Sequence, residues 1–184
     1  MTEFPAETPT DVLKFWWAAG PAAWFRSDPA FDERVRAVLR PLAAHARNGG
    51  LRDWEDTPHG TLALTILLDQ VPRNIHRGSK EAFASDPLAL EVARRALAAG
   101  YPDAYPPQAR AFFYLPFEHA EDLEAQALSV DMFRTLGDKE YTLYALMHFE
   151  AIARFGRFPH RNAILGRVST EAELAFLAAG GFSA

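Results

Sequence analysis

Apolar residues recur at spacings of three and four along almost the whole chain, while strict alternation is rare, so the pattern predicts helices throughout. Thr8 or Thr10 can cap a first helix through Trp17. Asp28-Pro29 opens a second, carrying Val35, Val38 and Leu39 towards Arg47, with a kink expected at Pro41 and a stop at Asn48-Gly49-Gly50. Thr57-Pro58 starts the next, whose apolar residues from Leu62 to Leu68 cover most of the circumference, as in a central helix packed on several sides. Asp86-Pro87 begins a helix that Gly100 ends, and another starts near Pro107. A long amphipathic helix is predicted from about Phe117 to Leu136, and Asp138 caps one that runs to Phe155. Thr170 with Glu173 forms a capping box for a last helix ending near Gly180.

About eight helices on short loops predict an all-α fold of antiparallel helix pairs, stacked as a bundle or short superhelix. No repeat of fixed period emerges. A chain of 184 residues lies in the size range of one domain, so a single helical domain over 1–184 is expected.

Composition narrows the function classes. Hydrophobic residues make up 49% and charged residues 23%, both ordinary for a globular protein. The formal charge of -5 argues against a general nucleic-acid binder, which needs excess basic charge to displace counterions. Without cysteine, disulfides, thiolate metal sites and cysteine nucleophiles are excluded. No apolar run is long enough to span a bilayer, and the first residues lack the pattern of an export signal, so a cytoplasmic location is expected. Arginines outnumber lysines sixteen to three, which a GC-rich genome explains as well as function does, so only the placement of particular arginines carries weight.

Two segments echo each other. One reads Val71-Pro72-Arg73-Asn74 followed by Arg77-Gly78; the other reads Phe158-Pro159-His160-Arg161-Asn162 followed by Gly166-Arg167. Each couples a rigid proline to arginine and asparagine, which can present fixed donors to a carboxylate or phosphate. The architectural alternative is that the arginines cap helix carbonyls and the asparagines hold turns. Asp69 sits in the last turn of an apolar helix, at the pole that disfavours a carboxylate, so it needs a cationic or donor partner such as Arg73.

Phe117-Glu118-His119-Ala120-Glu121-Asp122 opens the predicted long helix, on which His119, Asp122 and Gln126 would share one face. That arrangement suits an acid/base pair, whereas acidic residues in a first turn also simply favour the helix dipole. Paired ligand spacing is missing from the other helices, so no metal is expected, and the cofactor is left unknown. His148 lies on the otherwise apolar stripe of Tyr141, Tyr144, Ala145, Ile152 and Phe155, where a buried histidine bonded to a neighbour is the expected role. Trp16, Trp17, Trp24 and Phe25 read as core or pocket wall. There is no Gly-x-Ser-x-Gly elbow, nucleotide-binding fingerprint or His-Glu-x-x-His pair.

With these residues in view the chain resembles the bacterial family known as domain of unknown function 924. The likeness runs through Trp24–Phe31, Leu62–Asp86, Phe112–Gln126 and His148–Thr170. It implies a tetratricopeptide-like α-α superhelix and a signature set of Asp69, Gln70, Arg73, Asn74, Arg77, His119, Glu121, Gln126, His148, Arg157, Arg161, Asn162 and Arg167. Where that family usually reads Met-His-Ser-Glu, this chain has Glu118-His119-Ala120-Glu121. The resemblance names no substrate.

Two functions follow as expectations. In one, a cleft binds a small anionic molecule through Arg73, Asn74, Arg77, Gln126, Arg157, Arg161 and Asn162, with His119 and Glu121 in acid/base roles and Asp69 and His148 as structural polar residues. In the other, a helical scaffold binds a peptide or protein partner and the same residues are internal braces. The apolar Phe15-Trp16-Trp17 segment leaves a homo-oligomer as a third expectation.

Overall fold

The computed structural model describes residues 6–183, and among them every regular element is helical. The helices are α1 Pro9–Ala19, α2 Pro21–Trp24, α3 Pro29–Arg47, α4 Pro58–Thr65, α5 Val71–Ile75, α6 Asp86–Ala98, α7 Pro107–Glu118, α8 Leu123–Leu136, α9 Lys139–Phe155 and α10 Glu171–Ala178. No helix among the described residues is long and apolar enough to cross a membrane. The chain forms two compact units, residues 1–113 and 114–184.

Most starts are set by the caps visible in the sequence. Thr8 and Asp11 form a capping box for α1, Asp28 caps α3, Thr57 caps α4, Asp138 caps α9, and Thr170 with Glu173 forms a second box for α10. Pro41 lies inside α3 without ending it. At the start of α4, the backbone of Trp54 passes so close to Gly60 that an added Cβ would lie 2.2 Å from its carbonyl oxygen, and no other residue fits there.

In the first unit, Trp16, Trp24 and Phe112 pack edge to face or stacked, with centroids 5.0–6.4 Å apart, and the Trp24 indole donates to the Trp16 carbonyl at 2.7 Å. The Phe15-Trp16-Trp17 segment thus belongs to this unit's interior, with Trp16 fully buried. The central helix departs from a plain α-helix. Ile66–Gln70 forms a π-helical turn between α4 and α5, and the Val71 N–H donates five residues back to Ile66. Pro72 cannot donate to the carbonyl of Leu68, which accepts instead from the Ser85 hydroxyl at 2.6 Å.

In the second unit, α8 and α9 pair as a hairpin, turned at Gly137 in the left-handed conformation. Ala151, Ile152, Phe158, Phe176 and Phe182 form its apolar cluster. Burial of each such phenylalanine contributes about 1.5–3 kcal/mol.

The continuous helix expected over 117–136 is two helices. α7 stops at Glu118, and Asp122 is the N-cap of α8, its carboxylate accepting from Ala125 N–H at 2.7 Å. His119, Asp122 and Gln126 therefore do not share a helix face. His119 belongs to the connection, where its N–H still donates to Leu115.

Candidate functional site

The first Pro-Arg-Asn segment is bonded within its own unit. The Arg73 guanidinium grips the Asp86 carboxylate with two bonds of 2.9 and 3.0 Å, and donates to the Asp69 carbonyl at 2.6 Å. The Asp69 carboxylate is 3.2 Å from Arg73 and accepts from the Gln70 amide at 2.5 Å; the helical chain runs on to Ile75, so Asp69 lies in the π-turn and not in a last turn, and the partner it needs is for burial. Asp32 on α3 accepts from Asn74 at 2.8 Å and from Arg77 at 2.8 and 3.0 Å. Burial works to raise the Asp32 pKa, but the bonds from Arg77 and Asn74 outweigh it and hold the carboxyl below its ordinary value. This unit also has an open cleft of about 480 Å³, where Arg47 and Arg95 are already bonded to Glu81 and Glu55.

The second segment is built in the same manner from different partners. Arg157 grips Glu173 of α10 with bonds of 2.6 and 2.8 Å. Arg167 grips Glu121 with bonds of 2.7 and 2.8 Å and also donates to Asn162 Oδ1 at 2.9 Å. Glu121 further accepts from the Phe158 N–H at 2.8 Å. Burial pushes its carboxyl up, while Arg167 and the Phe158 N–H bring it below its ordinary value. Asn162 is fully buried and donates to the Ser169 hydroxyl at 3.1 Å. Glu121 thus ties the 119–122 connection to the loop after α9, and Asn162 holds Arg167 in place within that loop.

Gln126 has a related task. Fully buried on α8, its amide donates to the carbonyls of Glu118 at 2.6 Å, Ala120 at 2.8 Å and Phe117 at 3.4 Å. Phe117 and Glu118 end α7 and Ala120 lies in the connection, so one side chain bonds the backbone on both sides of His119.

His119 lies beside His148 of α9, with ring centroids 5.9 Å apart. His148 has 6% of its surface exposed and its Nδ1 is 2.8 Å from the Tyr144 carbonyl, which can only accept, so Nδ1 carries the proton. Glu118 Oε1 is 3.4 Å from the same nitrogen. Burial, then the positive character of His119, pushes the His148 pKa well below its ordinary value, which keeps the ring neutral at pH 7. One ligand-type atom from each of Glu118, His119 and His148 lies within 4.8 Å of the others, with Glu118 and His148 buried and His119 partly exposed. Around them, Arg161 is 6% exposed and lies over the Phe158 ring at 4.4 Å, and that ring in turn packs on His148 at 5.5 Å. Burial, followed by the Arg161 charge, takes His160 down to a pKa of about 4.

The expectation of no metal rested on spacing within single helices. The structure instead draws ligand-type atoms from the end of α7 and the middle of α9, a grouping that only the tertiary fold creates. Glu118 entered the sequence reading only as a departure from a pattern, and its burial beside two imidazoles carried no local signal.

The profile of a bacterial family of proteins of unknown function, DUF924, matches residues 12–181. The chain belongs to this family. A solved structure of a protein of unknown function, ATU0120 from Agrobacterium tumefaciens, is 42% identical, with a TM-score of 0.90 over 94% of this chain and 97% of that one. No curated protein matches the chain. The DUF924 assignment thus supplies a fold and a set of relatives, and the chemistry has to be argued from the side chains.

Proposed function

We propose that the protein binds a small anionic molecule in the second unit, beside His119, and that His119 transfers a proton to or from it. The observation that carries this reading is the gathering of Glu118, His119 and His148 within 4.8 Å, with His119 alone partly exposed. A neutral buried His148, a carboxylate and a partly exposed imidazole supply an acid/base set with different proton affinities. The buried Arg161 guanidinium adds positive potential to the same neighbourhood, where an anion gains from it in a low-dielectric setting. Asp69, Arg73, Asn74 and Arg77 act as braces of the first unit, and Glu121, Gln126, Arg157 and Asn162 as braces of the second.

Thermal melting against panels of small carboxylates and phosphates tests the reading, comparing wild type with His119→Ala. At least one compound should raise the wild-type midpoint and leave the folded variant unmoved. A panel without effect, or an equal response from both proteins, would reject it.

A second reading draws on the extent of bracing. Arg73, Arg77, Arg157 and Arg167 all grip carboxylates of their own unit, which suits a tetratricopeptide-like scaffold that offers its helical surface to a peptide. It is supported if a stoichiometric peptide partner binds His119→Ala and wild type equally.

A further inference from the structure

We propose that Glu118, His119 and His148 ligate one divalent cation of the zinc class, a site that rests on the anion-binding half of that reading, replaces proton transfer by His119, whose lone pair the ion would occupy, and explains how an anion is tolerated beside a buried carboxylate. The three residues are a two-histidine, one-carboxylate set, which suits zinc and its neighbours among the first-row metals. Their ligand atoms lie within 4.8 Å of one another, and a tetrahedral ion with bonds of about 2.0–2.1 Å wants them roughly 3.4 Å apart. Closing up by at most about 1.4 Å per pair reaches that spacing, and partly exposed His119 has the freedom to move.

The surroundings favour capture. With Nδ1 donating to the Tyr144 carbonyl, the His148 lone pair lies on Nε2, the nitrogen an ion would take. Gln126 pins the carbonyls of Glu118 and Ala120, so two of the three ligands start from a fixed backbone. The Gln126 Oε1 atom is itself buried with no hydrogen-bond partner among the described residues, leaving a polar atom unspent beside this connection.

Charge links the ion to the anion. With both imidazoles in the neutral form that ligation requires, Glu118 leaves the set one negative charge, which repels an anionic molecule. A divalent ion turns the set to a net single positive charge, and three protein ligands leave a four-coordinate ion one position for water or for an oxygen of the bound molecule.

The test uses the full chain stripped with a chelator and titrated with Zn²⁺ and Co²⁺, with metal content measured after dialysis. Wild type should take up one ion per chain, and Co²⁺ should give the absorption bands of a four- or five-coordinate site. Glu118→Gln and His119→Ala should each weaken uptake at least 100-fold, whereas His59→Ala, an exposed histidine of the first unit, should bind as wild type does. Circular dichroism and melting midpoints of the metal-free variants identify any that fail to fold, and Glu118→Gln, equal in size to the native side chain, guards against that outcome for His119→Ala. Wild-type uptake no tighter than that of folded Glu118→Gln overturns the cation site. If an anion raises the midpoint of metal-free wild type as much as that of the loaded protein, the link between ion and anion is overturned and the anion reading stands. If one ion binds and no anion responds, the cation site stands alone.

Discussion

The segments Val71–Arg77 and Phe158–Arg167 spell nearly the same motif and are put to different use. In the first, Arg73 and Arg77 clamp acids of α6 and α3, so three regular helices are locked together. In the second, Arg167 clamps Glu121, which lies in the irregular connection that also carries His119. A clamp between helices adds stability and little else, whereas a clamp on a connection fixes the position of whatever that connection bears. The comparison teaches that a proline-arginine-asparagine motif marks a place where the backbone is held, and that the neighbours of its acidic partner determine whether chemistry is near.

The largest effect should come from breaking the first clamp. Asp69 and Asp86 share the mostly buried Arg73 guanidinium, so Asp69→Asn combined with Asp86→Asn leaves it no carboxylate and should cost about 3 kcal/mol in denaturant melts at unchanged m-value. A loss as small as that of an exposed ion pair would show that the clamp is solvated and would erase the contrast between the segments.

A smaller effect, visible through pH, concerns the outer clamp of the second segment. Its bonds with Arg157, together with donors from Thr170 and Asn162, bring Glu173 down to a pKa of about 2 from an ordinary 4.5. The folded state thus binds this proton less readily than the unfolded state. The associated stability is present in full above pH 4.5 and is lost as pH falls from there towards about 2. Partial exposure of Arg157 screens the pair and limits the loss. Acid melts should therefore show a steeper decline for wild type than for Glu173→Gln across that window, and parallel curves would remove Glu173 from the account.

The smallest expected change is local. Thr170→Ala removes the hydroxyl that accepts from Glu173 N–H at 3.2 Å and should cost about 1 kcal/mol in thermal or denaturant melts. A cost equal to that of breaking the first clamp would mean that the start of α10 carries far more of the second unit than its cap implies.

Much of the fold was written in cap chemistry. Thr8, Asp28, Thr57, Asp138 and Thr170 start helices where their hydroxyls and carboxylates said they would. Asp122 shows why the same logic failed once. An acid in a first turn and an acid at an N-cap look alike in sequence, and the apolar spacing continues through 117–136, so nothing local announced the break at His119. The donors of the motif arginines were legible, but their acceptors were not, because Asp32 and Asp86 come from separate helices and long-range pairing leaves no spacing to read. His148 was legible as a buried histidine bonded to a neighbour, and the Tyr144 carbonyl is that neighbour. Its approach to His119 depends on how α9 returns along α8, which is a property of the hairpin rather than of any single helix.

The π-helical turn at Ile66–Gln70 sets the phase of everything after it. One residue beyond the α-helical count rotates the downstream chain by about 100° around the axis. The stretch is buried all round from Gly60 to Pro72, as expected of a helix packed on several sides, and the extra residue shifts which neighbours each side chain meets. It also aims Arg73 and Asn74 at acids on separate helices. A single-residue deletion within Ile66–Gln70 would leave composition and hydrophobicity almost untouched, yet it would swing both side chains away from Asp86 and Asp32 together, so in this stretch the number of residues matters more than which apolar residues they are.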